Sequence, residues 1–231
     1  MAAPPPLSVV IATRNEAARL PALLAQLAAA PALVREVLVV DGGSADGTGW
    51  LARLAGARLL CSEPGRGAQL GRGAAAAEGP WLLLLHADVR LPQGWAERVR
   101  RSLARPGAAE LAWYFELAIA SSRPELRLLE LAVRLRSRWR QLPYGDQGLL
   151  LHRDLYAAVG GMRPLPLMED LDLVKRLRRR VRLCSLALPL EVDGRRWLRQ
   201  GLWRTTWGNL QLRRAWRRGV PAVELARRYY G

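Results

Sequence analysis

Two hydrophobic rhythms alternate along this chain, and the alternation predicts its elements. Short β-rich runs at residues 7–12, 36–40, 58–62 and 81–86 have strand length. The last of them, Trp81-Leu-Leu-Leu-Leu-His86, is apolar enough for a strand buried on both faces. Between the runs the period changes: Leu20, Leu23, Leu24 and Leu27 recur at helical spacing. Asn15 is a plausible cap before that helix, and Pro21 belongs in its first turn. Further helices are expected at 50–54 and at 68–78, the latter closed by Gly79-Pro80. Strands alternating with helices in this way predict an α/β fold with a parallel, doubly wound sheet.

The second half is less regular. Helices are expected at 92–103, 125–139, 154–159 and 168–180, and strands at 111–120, 149–152 and 181–192. The 125–139 helix is basic and amphipathic, and Tyr144-Gly-Asp-Gln-Gly148 reads as a tight polar loop. The 168–180 helix begins in acid and ends in arginine, as the helix dipole favours. From Gly194 onward the chain is rich in arginine and tryptophan and mostly helical, with a break at residues 219–221.

Composition changes the picture in one respect. The net charge is +16, and 35 of the 36 basic residues are arginine, Lys175 being the lysine. Such a balance fits an anionic partner, whether nucleotide phosphate, nucleic acid or acidic lipid, and equally a GC-rich genome. Cys61 and Cys184 lie in apolar runs without metal-ligand spacing and read as two buried thiols. The N-terminus does not read as a signal peptide, and no window of ~18 apolar residues suggests a membrane span. The expectation is a cytoplasmic protein, with the inner face of the plasma membrane as a second option.

The candidate chemistry is acidic and sits at strand ends. Asp88 follows a central strand, where open α/β sheets bind ligands, and is a hard oxygen donor of the kind Mg²⁺ or Mn²⁺ prefers. Asp41 ends the second strand beside Gly42; it suits either a nucleotide hydroxyl or an ordinary Asp-Gly turn. His86 could aid a sugar nucleotide or simply close its strand. Arg66, between glycines that open a helix, could face phosphate or solvent. Glu169 and Asp170 follow the apolar stretch 164–168, so they are expected to face a cleft; neighbouring carboxylates can split their pKa values and leave one as a base. Arg195 and Arg196 could neutralise a diphosphate.

In order, Ser8-Val-Val-Ile-Ala-Thr-Arg-Asn-Glu16, Val39-Val-Asp-Gly-Gly-Ser-Ala-Asp-Gly-Thr48, His86-Ala-Asp88, Glu169-Asp170 and Arg195-Arg-Trp197 resemble the family 2 glycosyltransferases of the GT-A fold. Details such as Pro64-Gly-Arg-Gly-Ala-Gln69 and Tyr144-Gly-Asp-Gln-Gly148 resemble a bacterial subgroup associated with radical-SAM and selenodomain proteins. The resemblance implies a Rossmann-like, mostly parallel sheet flanked by helices. It further implies that Thr13, Asn15 and Glu16 border the nucleotide, that Asp41 contacts the base and that Asp88 holds the metal. Asp170 becomes the general base, and Arg196 and Trp197 end the diphosphate loop. Two departures stand out: His86 replaces the first Asp of the metal motif, and Asp193 stands where the loop motif has Gln.

The implied enzyme is an inverting, metal-dependent transferase that moves a sugar from a UDP-linked donor to an acceptor hydroxyl. Residues 1–194 are expected to form its catalytic domain, with 195–231 as a helical extension packed on it. Tryptophans and arginines in that extension suit an acidic membrane, which would make a lipid-linked acceptor attractive. Two rivals are a basic nucleic-acid-binding protein and a nucleotidyltransferase. Against the first no nucleic-acid module is present, so nucleic acid is the poorer partner; against the second Thr13-Arg-Asn-Glu16 is not a phosphate loop.

Overall fold

A computed structural model describes residues 5–195, 197 and 201–230, without the side chains of 202, 203 and 230. The elements run β1 Leu7–Thr13, α1 Leu20–Ala28, β2 Val34–Asp41, α2 Thr48–Leu54, β3 Arg58–Cys61, α3 Arg66–Ala76, β4 Trp81–His86, β5 Val89–Arg90 and α4 Trp95–Leu103. There follow β6 Ala112–Ala120, α5 Pro124–Arg140, β7 Leu149–His152, α6 Arg153–Ala158, α7 Glu169–Leu177 and β8 Leu183–Asp193. The last two helices are α8, Leu202–Arg217, and α9, Ala222–Tyr230.

One eight-stranded sheet has the order β3-β2-β1-β4-β7-β6-β8-β5. The first four strands pair parallel, as the alternating pattern requires. Beyond β4 the sheet is mixed. β7 enters antiparallel between β4 and β6, β6 and β8 run parallel, and β5 pairs antiparallel with β8.

The apolar runs are strands because both faces are covered. Leu7, Val9 and Ile11 of β1 join Trp81, Leu83 and Leu85 of β4 and the leucines of α1 in one core. Val10, Ala12, Leu82 and Leu84 point the other way, onto α3 and α7. Each such leucine contributes about 1.5–3 kcal/mol by leaving water. The close approach of α3 depends on Gly73, where a Cβ would collide with Val10 and Val40.

Three local expectations need correction. Asn15 does not cap α1, whose preceding residue is Arg19 with no side-chain cap. Instead Asn15 sits at φ 55° and bonds to the β2–α2 loop. Cys61 is exposed rather than buried, because β3 is the edge of the sheet, and Cys184 is half-buried; both are free. The strand β5, too short to show as a pattern, was not anticipated. Among the described residues no helix is long and apolar enough to cross a membrane.

Candidate active site

Two adjoining clefts open at the carboxyl ends of β1 and β4, where the sheet's connections change direction. The first, about 630 Å³, is lined by Thr13 and Glu16 from the β1–α1 turn, Arg66 and Gln69 of α3, and His86, Asp88 and Arg195. The second, about 290 Å³, shares Arg66, His86, Asp88 and Arg195 and adds Tyr144, Asp146, Glu169, Asp170, Trp197 and Arg213. Residues that lie far apart in sequence thus converge. Asn15, Asp41 and Gly42 do not line either cleft.

The first cleft rests on a loop system that satisfies itself. Asp41 accepts hydrogen bonds from Thr13 Oγ1 (3.2 Å), the Ser44 amide (2.9 Å) and Ser44 Oγ. Asn15 receives the Ala45 amide on Oδ1 at 2.9 Å and donates its own amide to Ser44 Oγ at 2.8 Å. The Glu16 amide reaches Thr48 Oγ1, and the Ala17 amide reaches Asp46. Buried Gln69 ties α3 to this system, donating to the carbonyls of Thr13 (2.7 Å) and Val40 (2.8 Å). Its neighbour Arg66 opens α3 and pairs with Glu169 at 3.1 Å.

Asp88 owes its place to β5. That two-residue strand pairs Val89 with Val192, and the Asp193 amide donates to the Asp88 carbonyl at 3.2 Å. The end of β8 is thereby laid beside the metal-motif position. Arg195 reaches Glu16 at 2.8 Å and lies 3.8 Å from Asp88. Asp193, in the place of the motif's Gln, accepts the Arg195 amide (2.8 Å) and the Arg19 guanidinium. Burial would raise the Asp193 carboxyl, but these donors outweigh it and hold the carboxyl below the usual range. Trp197 lines the second cleft; Arg196 lies outside the described residues.

Asp170 is fixed by two backbone donors, the Gly145 amide and the Leu171 amide, each at 2.7 Å. Met168 precedes α7 at φ 66°, a left-handed conformation that costs an L-residue roughly 1–2 kcal/mol. It turns Glu169 and Asp170 inward. Gly145 keeps this junction tight: a Cβ there would lie 3.0 Å from His86 Nε2 and 3.3 Å from Asp170. Gln147 fastens this loop with all its polar groups in use. It accepts from Ser137 and Arg136 of α5 and from the Tyr144 amide, and donates to the Phe115 carbonyl.

Burial shifts the titratable groups of the second cleft. Glu169 is 3% exposed. Burial, reinforced by Asp170 and opposed by Arg66, pushes its carboxyl up to about 7. Burial and Arg66 bring His86 down to about 4, against the pull of Asp88 and Asp170, so its ring is neutral with a free lone pair near pH 7. Asp146, which sequence reasoning passed over as part of a polar turn, has a buried Oδ1 with no hydrogen-bond partner among the described residues. Burial raises its carboxyl, with Arg136 opposing. The signal that could have found it is its place in Tyr144-Gly-Asp-Gln-Gly148, already singled out as a motif.

Residues 8–148 match the model of glycosyl transferase family 2. The chain belongs to that family. Its fold is that of the GT-A glycosyltransferases. Glucosyl-3-phosphoglycerate synthase of Mycobacterium tuberculosis, solved with Mn²⁺, UDP and glucosyl-3-phosphoglycerate, superposes with a TM-score of 0.56 at 22% identity. That alignment covers 79% of this chain and 70% of the synthase. The same synthase with phosphoglyceric acid gives 0.58 at 23% identity, covering 80% and 70%. A TPR repeat-containing protein of Synechococcus elongatus is 35% identical over 128 residues, 54% of this chain. The chain spans 31% of that relative's length. Family membership favours glycosyl transfer over both rivals raised by the sequence.

Proposed function

We propose that this glycosyltransferase moves a sugar from a UDP-linked donor to an acceptor hydroxyl with inversion, using Asp170 as general base. The observation that carries the reading is the position of Asp170. It is oriented by two amides at the wall shared with His86, Asp88 and Arg195, on the acceptor side of the donor cleft. Solved proteins of the same fold hold UDP with Mn²⁺ or Mg²⁺, which supports the donor and the cation.

The donor set fits a shared cation. Among the described residues no three His, Cys, Asp or Glu form a cage. Mg²⁺ and Mn²⁺ in phosphate sites typically take one or two carboxylates plus substrate oxygens, which Asp88 with a diphosphate would satisfy. Neutral His86 stands two residues away as a further donor. Bound there, the ion would offset charge on the departing diphosphate. Arg66 and Arg195 supply fixed positive charge on the same side. Thr13, Glu16 and Trp197 would border the nucleotide-sugar, with Asn15, Asp41 and Gly42 shaping its loop from behind. Arg196 completes the family motif.

In the step itself, an acceptor hydroxyl passes its proton to Asp170 while its oxygen bonds to the anomeric carbon. The bond from that carbon to the diphosphate oxygen breaks on the opposite face, which inverts the centre. Glu169, largely protonated below its raised pKa, keeps a second negative charge from competing at the base. Asp146, which lines the same cleft, would meet a substrate hydroxyl there. We assign residues 195–231 to the same domain, since Trp197, Asn209, Arg213 and Tyr229 line the acceptor cleft. A lipid-linked acceptor fits the protein's basic surface. The test is a thermal-shift panel of nucleoside diphosphate sugars with and without Mn²⁺. Selective stabilisation by UDP-sugars that needs the cation is expected; indifference to every sugar nucleotide overturns the reading.

A further inference from the structure

The helix α5 has two unlike faces. Leu126, Val133 and Ser137 are buried against the sheet. On the opposite side Leu128 is 69% exposed, Leu131 41% and Trp139 79%, with Ala132 exposed between them and Leu135 half-buried. At 100° per residue these five positions fall within about a 100° arc, so they form one stripe along the helix. A row of arginines borders one side of it, and exposed Glu125 stands at the other edge. Arg127 and Arg138 are half exposed and pair with Glu130 and Glu116. Arg123, Arg134 and Arg140 are exposed and make no ion pair among the described residues.

The tail offers a weaker surface. On α8, Trp207 is exposed, but Trp216 is half-buried and stacks on Lys175 at 3.9 Å. Among the described residues, Leu212, Ala215, Trp216 and Val220 pack with Leu225 and Ala226 of α9.

We infer that α5 is a docking face for an anionic lipid bilayer, with Leu128, Leu131, Leu135 and Trp139 entering the headgroup boundary and the flanking arginines meeting lipid phosphates. Charge selects this occupant. A net charge of +16 and a stripe edged with arginine disfavour a second copy of the chain and favour a negative surface. Leucine and tryptophan on one side of a helix with arginine beside them is the composition that lies in a membrane interface. The inner end of the same helix reaches the active site: the Arg136 guanidinium lies 3.5 Å from the Tyr144 ring, which lines the acceptor cleft. Docking through α5 would therefore present that cleft near the bilayer, a consequence that rests on the transferase reading while the docking does not.

The experiment is co-sedimentation of the full chain with vesicles of phosphatidylcholine alone or mixed with phosphatidylglycerol, over a range of salt. Binding to the mixed vesicles that weakens with salt is expected. Replacing Leu128, Leu131 and Trp139 together by serine should lower the partition coefficient at least about tenfold. Arg134→Gln and Arg140→Gln should each lower it about fivefold, and Trp207→Ser should leave it unchanged. Melting curves of all variants check the fold, and UDP-sugar thermal shifts report the catalytic reading separately. Failure of the wild type to sediment would overturn the inference. So would equal binding by the triple serine variant, or light scattering that shows a dimer which this variant dissolves.

Discussion

The loops that close the donor cleft and those that close the acceptor cleft treat their polar groups in opposite ways. In the donor loops, Asp41, Ser44, Asn15, Asp46 and Thr48 bond one another, and Gln69 locks the set to two strand ends. The acceptor loops are less complete: among the described residues Asp146 Oδ1 is buried without a hydrogen-bond partner, and Glu169, paired with Arg66, is a buried carboxyl with a raised pKa. A satisfied network is rigid and stabilising, whereas an unsatisfied one costs stability until a ligand completes it. On the proposed reading, the first region is scaffold and the second is where substrate binds.

Substitutions can break this contrast, and the largest effect belongs to the proposed base. Asp170→Asn should lower turnover by roughly 10²- to 10⁴-fold while the donor's thermal shift persists; parallel loss of donor binding would remove Asp170 from that role. Asp146→Asn comes next. It should lower kcat/KM by about 10- to 10²-fold, as loss of a charge-assisted bond to substrate would, while the melting temperature holds or rises. A lower melting temperature with unchanged kinetics would make Asp146 part of the scaffold instead.

On the scaffold side, Gly73→Ala should destabilise the fold by about 1–3 kcal/mol, read from denaturant midpoints, because the new methyl meets Val10 and Val40. Glu169 sharpens the comparison through pH. Its folded pKa of about 7 lies above the ordinary value of 4.5, so the unfolded chain releases this proton first. Stability should therefore fall as pH rises from about 4.5 through about 7. Glu169→Gln should flatten that window, by on the order of 1–3 kcal/mol at its upper end. An unchanged slope would place the titration elsewhere. The smallest effect is expected from Asn15→Ala: about 1 kcal/mol of stability from the lost bond to Ala45, with turnover nearly intact.

How far the sequence could be read follows from where each property originates. The strands β1, β2 and β4 were legible because burial on both faces leaves an apolar run that local composition reveals. Helix α1 was legible through its leucine spacing. Asp88, Glu169 and Asp170 were legible because each follows an apolar segment, and the cleft-facing expectation for Glu169 and Asp170 agrees with their place in the second cleft. Asn15 misled, since the same residue that caps helices also bridges loops, and its partners lie about 30 positions ahead. Cys61 misled because an edge strand looks like a central one from its own residues alone.

The sequence by itself determined the alternation of strand and helix, the acids at strand ends and the family, because these depend on neighbours in the chain and on motif order. Only the tertiary structure decided three further matters. The two-residue β5 brings Asp88 beside Arg195; Asp146 Oδ1 is buried without a hydrogen-bond partner among the described residues; and α5 bares an apolar stripe. Each is a matter of which groups are covered and by what, and coverage comes from segments distant in sequence, so no local pattern could carry it.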